Sequence, residues 1–208
     1  MIVLGLTGSI GMGKSTAAKL LREAGIPVHD ADEAVSRLYA EGGLAVEAVS
    51  RAFPQAMLNG AVDRERLSGL VLGNPDSLKR LEAIVHPLVK NDRAAFLAQA
   101  RAEGAKAAVL EIQLLFEVGA EEETDAVIVV SAPPAVQQQR VMLRPGMNPE
   151  KFQRILARQM PDAEKRARAG FVVDTGKGLE ETRAELHAVL ATVMSPRWTS
   201  RRKGHGPA

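Results

Sequence analysis

The sequence predicts an α/β fold in which helices flank a five-stranded parallel sheet. Three observations carry that prediction. Short apolar runs at residues 2–7, 26–29, 107–112, 126–130 and 171–173 are separated by longer amphipathic stretches, the alternation of a parallel sheet. The first run ends in a glycine-rich loop that opens directly into a helical pattern. Hydrophobic residues make up 46% of the 208 and charged residues 25%, enough apolar material to bury a core.

Taken in order, residues 2–7 are β-branched or leucine-rich and read as a buried strand. Residues 14–23 follow as a helix with apolar Ala17, Ala18, Leu20 and Leu21, stopped at Gly25. Ile26-Pro27-Val28-His29 is a second short strand, and residues 32–39 form another helix. From about residue 40 to 104 the pattern is helical without strands. Asp63-Arg64-Glu65-Arg66-Leu67 opens one helix, and Asn74-Pro75-Asp76 caps the next, which runs through Leu78, Leu81, Ile84 and Val85. Pro87 is expected to kink or restart the chain before a long helix at 88–102. Strands resume at 107–112 and 126–130, around the acidic turn Glu121-Glu122-Glu123. Residues 137–143 and 149–160 read as two helices joined by Arg144-Pro145-Gly146, and a last strand precedes a helix at 180–193. The stretch from 195 to 208 is expected to be a disordered basic tail. One unit, 1–194, results: a core at about 1–30, 105–131 and 170–194, a helical insert at about 31–104, and a further segment at about 132–169.

Composition narrows the chemistry. Aromatics are 3%, too few for the stacking platforms that bind single-stranded nucleic acid. Absence of Cys excludes disulfides, thiolate zinc sites, iron–sulfur clusters and a Cys nucleophile. His29, His86, His187 and His205 are scattered, without metal-ligand spacing. The net charge is +2, but Arg197, Arg201, Arg202 and Lys203 all follow Met194, so residues 1–194 carry −2. The pI of about 9.0 is therefore largely a property of the tail. A specific nucleic-acid partner would need a basic face on the fold itself. No apolar run reaches the ~18 residues of a membrane span, and the N-terminus lacks the basic region of a signal peptide. A cytoplasmic protein with no membrane or protein partner is expected.

The decisive segment is Gly8-Ser9-Ile10-Gly11-Met12-Gly13-Lys14-Ser15, which fits G-x-x-x-x-G-K-[ST] between a strand and a helix. Such a loop wraps phosphates with backbone N–H groups at a helix N-terminus. Lys14 supplies a point charge to the β/γ-phosphates, and Ser15 a hydroxyl ligand for Mg²⁺. The bland alternative is a glycine-rich turn that caps a helix. No guanine-reading N-K-x-D follows, and motor ATPases are longer, so a small-molecule kinase fits best, its insert holding the acceptor. Asp30-Ala31-Asp32 ends the second strand on the ligand-binding edge of a parallel sheet. One of the pair can accept the proton of an attacking hydroxyl. Asp30 and Glu33 have capping-box spacing, so Asp32 is the better candidate for that role. Between Ser131 and Gly170, eight basic residues face three acids, a segment charge of +5. Arg140 and Arg144, like Arg154 and Arg158, lie four apart, a like-charge spacing that an anion would relieve. A lid over ATP is one reading, and a solvated basic face the other. Glu111, ending the third strand, either supports Mg²⁺ through water or forms a salt bridge. His86 before Pro87 reads from its leucine-rich surroundings as a packed core histidine.

These residues resemble one family, dephospho-CoA kinase, across about residues 2–190. The resemblance rests on Gly5-Leu6-Thr7-Gly8 with the P-loop, Asp30-Ala31-Asp32, Asp63-Arg64 and Leu81-Glu82-Ala83-Ile84-Val85-His86-Pro87. It continues in Leu114-Leu115-Phe116-Glu117, Gln159-Met160 and Leu179-Glu180-Glu181-Thr182. It implies a P-loop kinase fold with core, helical acceptor-binding insert and lid, and the use of ATP with Mg²⁺ to phosphorylate the ribose 3′-hydroxyl of dephospho-CoA. It implies Asp32 as catalytic base and Arg140 as a lid arginine at the phosphates, acting with Lys14. Gly8, Gly11, Met12, Gly13, Lys14, Ser15, Thr16, Arg140 and Arg144 would bind ATP; Asp32, Arg64, His86 and Leu115 would bind the acceptor. Three positions depart from the family pattern. Gln113 stands where proline is usual, Gly170 where Asp is usual, and Asp174-Thr175 where Asp-Asn is usual. Another kinase of the same fold, acting on a nucleoside monophosphate or a shikimate-like alcohol, and a non-catalytic nucleotide switch are the alternatives.

Overall fold

A computed structural model describes residues 1–200. The element order is β1 (Ile2–Thr7), α1 (Lys14–Glu23), β2 (Val28–Asp30), α2 (Ala31–Tyr39), α3 (Val46–Ala52), β3 (Met57–Leu58), β4 (Ala61–Val62), α4 (Arg64–Val71), α5 (Pro75–Ala102), β5 (Ala107–Glu111), β6 (Ala126–Ser131), α6 (Pro134–Met142), α7 (Pro149–Leu156), α8 (Asp162–Arg168), β7 (Phe171–Asp174) and α9 (Leu179–Val193). Two 3₁₀ turns lie at Pro54–Ala56 and Ala120–Glu123.

Five strands form one sheet in the order β2-β5-β1-β6-β7. β1 pairs in parallel with β5 (Leu4 opposite Val109) and with β6 (Leu6 opposite Ile128), and β6 pairs in parallel with β7. Strands buried on both faces read as continuous apolar runs rather than alternating ones. That is the pattern of Ala-Ala-Val-Leu in β5 and Ala-Val-Ile-Val-Val in β6, each buried throughout. Polar residues end these strands instead: Thr7, Glu111, Ser131 and Asp174. They fall together at the carboxyl edge, where ligands of parallel sheets bind. Leu4 and Leu6 pack with Ala17 and Leu21 of α1, Ile128 and Val130 of β6, and Leu186 and Val193 of α9.

The chain divides into two compact units, Met1–His29 with Ala100–Ala208, and Asp30–Gln99. The second has its own core of Leu38, Tyr39, Val49, Phe53, Val62, Leu67, Val71 and Val85. It differs from the all-helical reading, because β3 and β4 form an antiparallel hairpin. Asn59 (φ 49°) and Gly60 (φ 79°) supply the two positive φ values that a tight hairpin turn needs. Pro87 does not restart the chain: α5 is a single helix of 28 residues. His86, Pro87 and Ala83 all lie on its exposed side, where water can take the carbonyl that proline leaves unpaired. The packed-histidine reading of His86 is therefore wrong.

The expected disorder after residue 195 does not apply to residues 195–200. Trp198 donates its N–H to Ser195 O (3.0 Å) and packs its half-buried indole against the sheet core. Residues 201–208 of that tail lie outside the described residues. Among the described residues, no helix is long and apolar enough to cross a membrane.

Candidate active site

The P-loop begins where β1 runs out. Gly8 sits so close to β6 that an added Cβ would fall 2.5 Å from Val130 Cγ2 and 2.7 Å from Val130 O. Only glycine permits that approach, and it turns the loop across the sheet edge. Gly13 is the N-cap of α1 in a left-handed conformation (φ 82°), and no side chain caps it. The first N–H groups of the helix have no intrahelical acceptor. With no acid in the first turn of α1, they are left to an anion. Ser15 and Thr16 are exposed in that first turn.

Lys14 Nζ lies 2.8 Å from Glu111 Oε1, with the Lys14 side chain 13% exposed and that of Glu111 2%. Arg22 approaches the other oxygen at 3.8 Å. Of the two readings of Glu111, the salt bridge is the one that forms, and its partner is the Lys14 that a phosphate would engage. Burial of Glu111 is tolerable because two cations border it.

The crest of the loop is held from the 132–169 segment. Ile10 N–H donates to Gln159 Oε1 (3.1 Å), and Ile10 O accepts from Gln137 Nε2 (2.7 Å). The Ile10 side chain packs with Val141 of α6 and Phe152 of α7. Arg140 donates to both oxygens of Thr175, at 3.0 Å to Oγ1 and 2.6 Å to the carbonyl. Arg144, one turn further on, is exposed. Two other basic residues of the segment are held by protein carboxylates. Lys165 is wholly buried against Glu117 (2.9 Å), and the exposed Arg168 pairs with Glu121 while stacking over Phe116 at 4.7 Å. Burial pushes the Glu117 carboxyl up, but hydrogen bonds from Lys165 and Met160 N–H and the Lys165 charge outweigh it and hold it below its usual range.

Within residues 30–99, Asp30 Oδ1 accepts from Asp32 N–H (2.8 Å) and Glu33 N–H (3.1 Å). Asp30 is therefore committed to capping α2, which leaves the exposed Asp32 carboxylate as the acid of the pair available to a ligand. Arg64 donates to Asp32 O (3.2 Å) and lies 5.8 Å over the Tyr39 ring, so these two motif residues meet. Burial pushes the Tyr39 hydroxyl up, opposed by the Arg64 charge. Leu115 is not placed to contact an acceptor. It is wholly buried, its Cδ1 2.6 Å from where a Gly5 Cβ would stand, and Leu114 and Val118 are the exposed apolar residues of that turn.

Sequence reasoning passed over Gln137, Thr175 and the Lys165–Glu117 pair. Gln159 stood in a motif without a role, and Thr175 only as a departure from pattern. Gln113 is explained by its backbone: its carbonyl accepts from Thr7 Oγ1 (3.0 Å) and Lys165 Nζ (3.3 Å), and proline would offer the same oxygen.

A phosphate cradle at the carboxyl edge of a parallel sheet, with its lysine in place and an arginine fixed at its rim, defines a P-loop phosphotransferase. A family model described as dephospho-CoA kinase matches residues 2–181, and the chain belongs to that family. It is 56% identical over 197 residues to a dephospho-CoA kinase of Mesorhizobium japonicum, covering 95% of this chain and 99% of that protein. It is 54% identical to one from Rhodopseudomonas palustris, covering 95% and 98%. Among solved structures, TT1252 from Thermus thermophilus superposes with a TM-score of 0.83 at 40% identity, covering 93% of this chain and 98% of that one. A dephospho-CoA kinase from Campylobacter jejuni superposes at 0.67 and 26% identity, covering 92% and 96%.

Proposed function

We propose that the chain transfers the γ-phosphoryl group of ATP to the ribose 3′-hydroxyl of dephospho-CoA, giving coenzyme A, the last step of its synthesis, in the cytoplasm. The observation that carries this reading is the open P-loop with Lys14 in a chain whose family match spans nearly all of its fold. The P-loop N–H groups and Lys14 hold the β- and γ-phosphates. Asp32 accepts the proton of the 3′-hydroxyl as its oxygen bonds to the γ-phosphorus, and the bond to the bridging oxygen breaks to release ADP. Arg140, with Arg144 beside it, meets the charge that spreads over the transferring group. Arg64 and His86 contribute to the acceptor side.

The donors for Mg²⁺ are few. Among the described residues there is no group of three or more His, Cys, Asp or Glu that could hold an ion. The Ser15 hydroxyl and, through water, the Glu111 carboxylate suit an ion held mainly by substrate phosphates and waters. When bound, it neutralises charge on the β- and γ-phosphates.

The test is ADP release with dephospho-CoA, CoA, adenosine, AMP, CMP and shikimate as acceptors. Turnover confined to dephospho-CoA is expected. Turnover confined to AMP, CMP or shikimate would replace the acceptor, and ATP binding without turnover would make the chain a nucleotide switch.

A further inference from the structure

Thr175, directly after β7, joins parts of the site that lie far apart in sequence. It is 4% exposed. Its hydroxyl lies 2.9 Å from Met12 O and 3.3 Å from Ser131 O, and it accepts from Arg140 Nη1 at 3.0 Å. Its carbonyl accepts from Arg140 Nη2 at 2.6 Å, and its own N–H is held by Ser131 O at 2.8 Å. Its side-chain atoms lie 3.0–3.2 Å from where a Cβ on Gly13 would stand, so the P-loop rests directly on it.

Two consequences follow from this placement. A trans peptide points its C=O and N–H in opposite directions. Holding Met12 O against Thr175 therefore turns Gly13 N–H the other way, off the Thr175 side of the loop. The guanidinium of Arg140 is a rigid planar fork on a long rotatable stem. Two bonds to one residue fix both its position and its plane, using two of its five N–H donors.

We infer that Thr175 is a positioning residue for phosphoryl transfer: it holds Arg140 and the Met12–Gly13 peptide in fixed relation, so both meet the transferring phosphoryl group together. The inference rests on the phosphotransferase reading above. One hydroxyl serves as acceptor to Arg140 and donor to the P-loop, the two roles that the amide of the usual Asn would divide between its oxygen and nitrogen.

The test is a double-mutant cycle between Thr175→Val and Arg140→Ala, run with the acceptor that the wild-type protein phosphorylates. Thr175→Val keeps the shape and removes the hydroxyl. In the wild-type background it should lower kcat about ten- to thirtyfold, the worth of a charge-assisted bond, with KM for ATP changed less than about twofold. In the Arg140→Ala background the same substitution should cost several-fold less than in wild type, because one of the two groups it positions is gone and only the Met12–Gly13 peptide remains. Thr175→Ser, which keeps the hydroxyl, should restore kcat to within about threefold of wild type. If circular dichroism shows Thr175→Val unfolded, Thr175→Ala takes its place in the cycle. Equal losses in both backgrounds, or an unchanged kcat in Thr175→Val, overturn the inference and leave the proposed function standing. Absence of turnover with every acceptor overturns both.

Discussion

Replacing Glu117 by Gln should destabilise the protein by about 3 kcal/mol at pH 7, a cost that Lys165 imposes. The Lys165 side chain is 0% exposed and that of Glu117 20%, with 2.9 Å between Nζ and Oε1. At that separation and an effective dielectric of about 20, the attraction is roughly 6 kcal/mol before desolvation is subtracted. Removing one partner of a buried pair typically costs about 3–5 kcal/mol, because the other charge is left uncompensated. Partial exposure of Glu117 puts this pair at the lower end. The Gln amide oxygen can still accept from Met160 N–H (2.8 Å in the parent), so the loss isolates the charge. For a chain of this size about 3 kcal/mol corresponds to a melting temperature lower by about 6–12 °C. Lys165→Met should cost less than Glu117→Gln, because it leaves a partly solvated carboxylate rather than a buried ammonium. The pH dependence has a definite sign. The folded Glu117 pKa lies below its ordinary 4.5, so the stability it confers is complete above that value and is lost as pH falls through the folded pKa. The gap between parent and Glu117→Gln should therefore narrow below about pH 4.5. Urea unfolding at pH 7 and pH 4, followed by circular dichroism, measures both effects. A difference below about 1 kcal/mol at pH 7, or a gap that widens in acid, would refute the reasoning.

Further predictions concern the site and the C-terminal segment. Lys14→Ala should lower kcat at least about 10³-fold in steady-state assays. It should also melt lower, since Glu111 is left buried with Arg22 at 3.8 Å; wild-type turnover would remove the P-loop from the mechanism. Asp32→Asn should lower kcat about 10²–10⁴-fold with little change in KM for ATP. Asp30→Asn should be mild, because Asn caps a helix as well as Asp; the reverse ranking would mean that the base is Asp30. Trp198→Ala should cost about 1–2 kcal/mol and lower the melting temperature by about 3–6 °C in calorimetry. An unchanged melt would show that the indole contributes nothing to the fold.

The parallel sheet was legible because strands buried on both faces must be apolar end to end, as in β5 and β6. The phosphate loop was legible because its glycines answer a steric demand fixed by spacing. The β3–β4 hairpin escaped notice although Asn59-Gly60 is a strong turn signal, since strands of two residues leave no alternation to read. His86 was misjudged because periodicity says which residues of a helix share a side, but not which side is packed. Leu115 lies in the turn after β5 and entered the acceptor set through the resemblance alone, which carries no information on burial. Thr175, Gln137 and Gln159 are short polar side chains whose partners lie more than 30 residues away, and local pattern carries no trace of such bonds. Trp198 was discounted because its neighbours are polar, although a single indole can dock on a core built by other segments.

The central claim is the transfer of phosphate from ATP to one hydroxyl, and identification of the product tests it most directly. Purified protein, ATP, Mg²⁺ and dephospho-CoA should yield ADP and, in equal amount, a product heavier by one phosphoryl group. Phosphorus NMR should place the new resonance as a monoester on the ribose 3′-oxygen, and a 3′-deoxy acceptor should give none. A phosphoryl group found elsewhere on the acceptor, or ADP formed without a phosphorylated product, would contradict the account.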